Sequence, residues 1–345
     1  MLNNIHEMEQ LEWGVDTSID KEYQLINALD NGNSDVKFLS ELESLIRKLA
    51  STDCQISQEK AKSSLFQFFP EYINVVARLP VEYDYSEYLN VFIACCDEFR
   101  LFDLSIDEIE QIPKRVIFGL ISLVSRDCRT IDFREKLRIQ RREADKRYEE
   151  YASYIDALFE NNDRLIVLRL DLGYEKHFTE RITLDMALED IGRLMLNRHN
   201  NQIFDHMVGY IIKTEFGIDR RIHFHTLFFF NGSHRQGNAH VRLAQQIGEY
   251  WRKTITRDMG IYWNCNNQID QFERMGRRGI GEIRWNDGRA RSNLKNYVLA
   301  YLFKLEQGFR PLQHPKAKLI RRGASPKERV IKLGRPRIGT EKRIV

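Results

Sequence analysis

Two hydrophobic periods divide this chain. Between residues 36 and 127 apolar positions recur every three or four residues. In VKFLSELESLIRKLA (36–50), Phe38, Leu42, Leu45, Ile46 and Leu49 fall on one side of a helix. EYLNVFIACCDEFRLF and RVIFGLISLVSR repeat the pattern, with Pro70 and Pro80 as punctuation. Residues 131–161 predict a long helix dense in charge, which reads as a solvated connector or, less simply, as a DNA-binding helix.

From 164 the period changes to two. In RLIVLRLDLGY, Ile166, Leu168, Leu170 and Leu172 share one face, and Val167, Arg169 and Asp171 the other, which predicts a strand. DMALEDIGRLMLNRH returns to helix. Residues 206–232 predict two strands joined by a tight turn at GIDR. AHVRLAQQIGEYWRKTI is a helix with Ala244, Ile247, Trp251 and Ile255 in one stripe. GIYWNC and IGEIRW are short strands, and ARSNLKNYVLAYLFKLEQ is a helix. This order predicts an α+β fold, with a helical N-terminal region followed by a central antiparallel sheet flanked by helices. The expected divisions are 1–130, an acidic helical region; 131–163, a charged connector; 164–310, the sheet domain; and 311–345, a basic tail.

Charge sharpens that division. A net charge of +3 over 345 residues conceals 8 Lys/Arg against 22 Asp/Glu in residues 1–110, and 45 against 28 in the remainder. The basic part suits a polyanion such as nucleic acid, although two domains attracting each other would give the same asymmetry. Residues 311–345 hold 11 Lys/Arg and 2 Asp/Glu. They read as an extended arm for phosphates or as a solubilising tail. Five cysteines without a C-x-x-C spacing predict free thiols in a reducing compartment. The longest apolar run, VIFGLISLV, is too short for a membrane span, and the first residues lack a signal-peptide pattern. The expected setting is the cytoplasm.

The candidate chemistry lies in RRIHFHTLFFFNG (220–232). Alternation puts His223 and His225 on one face of a strand whose later residues are purely apolar, so both imidazoles can aim at one ion. If the preceding turn is centred on Asp219, Glu215 lies opposite His223 as a third ligand, and Lys213 lies opposite His225, where it could meet a phosphate. A register slip of one residue would instead leave Glu215 a solvated acid. In SNLKNYVLAYLFK (292–304), Tyr297 and Tyr301 are four apart on one helix face and Lys304 follows on the next turn. These tyrosines are either nucleophiles or the polar edge of an ordinary apolar stripe.

IHFHTLFFF resembles the histidine–hydrophobic–histidine motif of the HUH endonucleases, the rolling-circle replication initiators of phages and plasmids. YVLAYLFK resembles their paired-tyrosine motif, with Ala300 where a lysine often stands. More narrowly, 150–310 is similar to the inovirus replication-protein-like family, also called the YagK/YfjJ C-terminal domain. The resemblance implies a site-specific DNA nicking and strand-transfer enzyme. His223, His225 and Glu215 would hold Mg²⁺ or Mn²⁺. Tyr301, with Lys304, would attack the scissile phosphate and initiate rolling-circle replication of a phage or mobile element, and Tyr297 would serve a second transfer. The implied partners are origin DNA with a single-stranded or hairpin segment, and host replication proteins. Lys213, Arg277, Arg278, Arg321, Arg322, Arg335 and Arg337 are the expected DNA contacts. The competing readings are a catalytically degenerate DNA-binding regulator of a prophage and a zinc-stabilised structural domain.

Overall fold

The computed structural model describes residues 34–51, 55–79, 83–217, 221–235, 239–303, 310–311 and 319–326. The chain divides into two units, 1–79 with 88–129, and 80–87 with 130–345.

The first unit is helical. Its described helices are α1 (Ser34–Ala50), α2 (Gln55–Gln67), α3 (Phe69–Ala77), α4 (Glu87–Glu98), α5 (Ile106–Glu110) and α6 (Lys114–Asp127). Four residues of the predicted α1 stripe, Leu42, Leu45, Ile46 and Leu49, are buried. Pro70 opens α3 rather than breaking it, since the first helical turn needs no donor from its nitrogens. Ser105 and Glu108 form a reciprocal capping box at the start of α5. No described helix is long and apolar enough to cross a membrane.

The second unit is an α+β fold around a six-stranded antiparallel sheet. Its strands are β2 (Arg164–Tyr174), β3 (Met207–Gly217), β4 (Arg221–Asn231), β5 (Gly260–Asn264), β6 (Gly281–Arg284) and β8 (Ile320–Arg322). The order is β5-β2-β4-β3-β8, with β6 also on β2. A separate two-residue ladder joins β1 (Tyr83–Asp84) to β7 (Arg310–Pro311). The described helices of this unit include α7 (Ile131–Asn161), α8 (Leu184–Asn197), α9 (His240–Tyr250), α10 (Ile269–Arg274) and α11 (Gly288–Asn293). Ile166, Leu168, Leu170, Phe224, Phe228 and Ile212 share a core with α8 and α9 on one face. Leu165, Val167, Ile211, Leu227 and Phe229 share the other with α7 and the segment after α11. Both faces of the central strands are therefore buried, which is why β4 is apolar on both sides from Leu227 onward.

Two expectations need correction. The helix at 131–161 is no mere connector. Tyr151, Tyr154, Ile155, Leu158 and Phe159 in its last three turns are buried in the sheet core. Their spacing is that of an amphipathic stripe, hidden by the dense charge of the first half. The stripe meets the sheet at a bulge in β3, where a Cβ on Gly209 would lie 2.6 Å from the Tyr154 hydroxyl and 2.8 Å from Leu158. The basic tail is likewise structured in part, because Ile320–Arg322 pairs with Ile211–Lys213 as an edge strand.

β5 and β6 share one edge of β2. β5 pairs with residues 170–174 and β6 with residues 164–167. Asn266 closes the gap between them. Its Oδ1 accepts from Arg169 N at 2.8 Å and its Nδ2 donates to Val167 O at 3.0 Å, so one buried side chain imitates a strand residue. Asn266→Leu keeps the volume but strands both backbone groups, and a loss of about 1–3 kcal/mol for each is expected in urea unfolding of the second unit. An unchanged midpoint would mean that water replaces the amide.

Candidate metal centre

The register found between β3 and β4 sets Glu215 opposite His223 and Lys213 opposite His225, as the predicted turn centre requires. The turn residues 218–220 themselves lie outside the described residues. β2 adds Asp171, directly opposite His225 on its other side. Side chains alternate along each strand, so Asp171, His225, Lys213, Glu215 and His223 all project from the same face. They occupy the end of that face beyond the apolar core.

The contacts within this cluster are short. His225 Nε2 lies 2.7 Å from Glu215 Oε2, and His225 Nδ1 lies 2.7 Å from Asp171 Oδ1. His223 Nε2 is 3.3 Å from Glu215 Oε2, and Lys213 Nζ is 2.5 Å from Glu215 Oε1. Asp171, Glu215 and His225 are buried, and the His223 and Lys213 side chains are each 14% exposed.

Burial alone would push the His225 imidazolium toward neutrality. The flanking Asp171 and Glu215 carboxylates overcome that and raise its pKa to about 9. Burial would raise Asp171 too, yet His225, with Arg169 and His223 assisting, holds it at about 2. Glu215 is held well below the ordinary carboxylate range against its own burial, by His225, Lys213 and His223. The result is a set of paired groups, with His225 between two buried carboxylates and Lys213 against Glu215, and a cation bound at His225 Nε2 would displace the proton shared there with Glu215.

The donor set fits a divalent cation. Ligand atoms of Glu215, His223 and His225 lie within 4.8 Å of one another. Asp171 behind His225 is the kind of carboxylate that fixes a ligating imidazole's tautomer and ring orientation. Two imidazoles and one carboxylate suit Mn²⁺ or Zn²⁺ better than Mg²⁺, which prefers oxygen.

A tyrosine stands against this cluster. The Tyr301 ring is 5.2 Å from the His225 ring at 85°, and the Arg169 guanidinium lies 4.6 Å over the Tyr301 ring. Tyr301 is buried, 8% exposed. Tyr297 is 36% exposed, with the Arg277 guanidinium 4.9 Å over its ring. The two tyrosines therefore do not share an environment, contrary to their spacing. Leu294–Leu299 winds as a π-helix between α11 and a last helical turn at Ala300–Leu302. Its buried residues are Leu294, Val298 and Leu299, and Tyr297 is not among them.

No family model, curated protein or solved structure matches this chain. The likeness to the HUH endonucleases rests on the motif residues alone.

Of the expected DNA contacts, Lys213 is ion-paired with Glu215, and Arg278 pairs with Glu273 at 2.9 Å and Asp287 at 3.4 Å. Arg322 pairs with Glu150 and covers the Tyr154 ring at 4.8 Å. Arg321 lies opposite Ile212, on the sheet face away from Glu215, His223 and His225, where burial lowers its pKa. Lys304, Arg335 and Arg337 lie outside the described residues.

Arg169 and Asp171 were not among the predicted site residues. The signal was available in RLIVLRLDL, where two charges alternate within a buried strand, the same anomaly that marked the histidines. Joining it to the site required knowing that β2 lies beside β4.

Proposed function

We propose that the second unit is a metal-dependent DNA nicking and strand-transfer enzyme of the HUH endonuclease type, acting through a phosphotyrosyl intermediate. The observation that carries the reading is the packing of the Tyr301 ring 5.2 Å from His225, beside the Glu215/His223/His225 donor set. These groups are remote in sequence, and the packing of the helix on the sheet core brings the Tyr301 ring to the polar end of that face.

A divalent ion held by Glu215, His223 and His225 would withdraw charge from a non-bridging oxygen of the scissile phosphate. Asp171 orients His225 through the Nδ1–H bond. The Tyr301 hydroxyl gives its proton to solvent water, and its oxygen attacks phosphorus. The bond from phosphorus to the 3′-oxygen breaks, and that oxygen takes up a proton. The products are a 5′-phosphotyrosyl link and a free 3′-hydroxyl able to prime synthesis. The Arg169 guanidinium over the Tyr301 ring places a fixed positive charge beside the phenolate and the phosphate. The biological role this serves is initiation of rolling-circle replication of a phage or mobile element.

The test is incubation with labelled single-stranded DNA and Mn²⁺, followed by a denaturing gel. A covalent protein–DNA band that chelator prevents supports the reading. DNA binding without any band favours the second reading, a regulator that keeps the cluster as a structural charge network. The pairing of Lys213 with Glu215 is the observation on its side.

The tail gives a separate expectation. Residues 327–345 hold seven Lys/Arg and two Asp/Glu. Truncation after Ser325 and Pro326 spares the edge strand β8. For every phosphate that the tail neutralises, truncation should flatten the log–log salt dependence of DNA affinity by about 0.7–0.9. An unchanged slope would show that this segment does not touch DNA.

A further inference from the structure

One aromatic near the site is turned to water. Tyr297 sits about one helical turn before Tyr301 and is 36% exposed. The Arg277 guanidinium covers its ring at 4.9 Å. Arg277 belongs to the loop Met275–Ile280, which is built tightly against the start of the tyrosine helix. Asn293 Nδ2 donates to Gly276 O at 3.0 Å and to Arg278 O at 3.1 Å. Arg277 N donates to Phe272 O at 2.8 Å. Gly276 has φ of +70°, a conformation glycine adopts without strain. A Cβ on Gly279 would lie 2.6 Å from the backbone nitrogen of Leu294, so the loop and helix backbones touch. The arginine is thus carried over the tyrosine by a fixed loop.

We propose that Tyr297 and Arg277 form a subsite for one base of single-stranded DNA, next to the phosphate that Tyr301 attacks. The proposal rests on the nicking function argued above, and it gives Tyr297 a binding role in place of the second transfer. Every base has a π-face that stacks on an exposed aromatic without regard to sequence. The guanidinium can lie over a ring and still turn its N–H edges to a phosphate oxygen. The surroundings favour a polyanion, with seven Lys/Arg and two Asp/Glu between residues 274 and 295. Within this stretch Arg277 is the cation placed over the exposed ring.

Tyr297→Phe and Tyr297→Ala separate stacking from chemistry. The probe is a labelled oligothymidine single strand, read by fluorescence anisotropy, with adduct formation and strand rejoining read on gels. A stacking platform keeps its affinity in Tyr297→Phe and loses roughly tenfold in Tyr297→Ala. Arg277→Gln should weaken binding and reduce the salt slope by about one phosphate. Adduct and rejoining should persist in Tyr297→Phe. If Tyr297→Phe binds normally but cannot rejoin strands, the hydroxyl is a reactant and the proposal falls. If Tyr297→Ala binds like the wild type, the subsite alone is overturned. If the wild type itself binds no single-stranded DNA, the nicking function fails and the subsite with it. Tyr297 is exposed, so these variants should fold, and matching thermal melts would confirm it.

Discussion

Tyr301→Phe is expected to abolish the covalent protein–DNA adduct, a fall of roughly a thousandfold or more in single turnover. The substitution removes one oxygen. It keeps the ring that packs on His225 at 5.2 Å and under Arg169 at 4.6 Å, so the fold and the donor set should be undisturbed. Mn²⁺ binding by calorimetry and single-strand affinity by anisotropy should stay near wild type. Loss of the adduct with both retained assigns the phosphotyrosyl link to this hydroxyl. An adduct formed at the wild-type rate would put the nucleophile elsewhere and leave Tyr301 a packing residue.

The second large effect concerns stability as well as metal. The two histidines look equivalent in sequence, and removal of either would be expected to cost ligation alone. Their surroundings differ. His225 is buried between Asp171 and Glu215, each at 2.7 Å. His225→Ala leaves two buried carboxylates without their shared cation, and breaking a buried pair in this way costs about 3–5 kcal/mol. In a unit of this size that lowers Tm by on the order of 10 °C. His223→Ala removes a partly exposed side chain whose contact to Glu215 is 3.3 Å, and should cost under about 1.5 kcal/mol. Both variants should lose Mn²⁺ binding. Thermal melts of the ion-free proteins check the difference, and equal melting temperatures would mean that the charge pairing around His225 contributes nothing to the fold.

The register of the β3–β4 hairpin was legible in the sequence because it depends only on a turn centre and a period of two. Both are local, and Glu215 opposite His223 follows from them. The α+β order was legible for the same reason. What was not legible depends on which elements become neighbours. Asp171 is an odd charge in a strand until β2 is laid beside β4, and only then is it the partner of His225. Tyr151 to Phe159 form an apolar stripe diluted by the charges before them in one continuous helix. The different fates of Tyr297 and Tyr301 depend on what packs against each ring, His225 and Arg169 on one and the Arg277 loop on the other, which helical spacing alone does not give. β8 is three residues long and basic, and only its pairing with β3 makes it a strand.

The order of these groups along the chain has a consequence for synthesis. Asp171, Glu215, His223 and His225 all precede residue 226, whereas Tyr301 comes after α9, α10, β5 and β6. The β3–β4 hairpin closes over a short loop, a contact of low order that forms quickly. Tyr301 meets His225 only after a long stretch of chain has left the ribosome and docked. A nascent or prematurely terminated chain that lacks the last helix can hold the Asp171, Glu215, His223 and His225 cluster but has no tyrosine against it. Tyr301 joins this cluster after its other members have been made, so the full grouping is confined to chains synthesised through residue 301, and on the proposed function only those chains could form a covalent link to DNA.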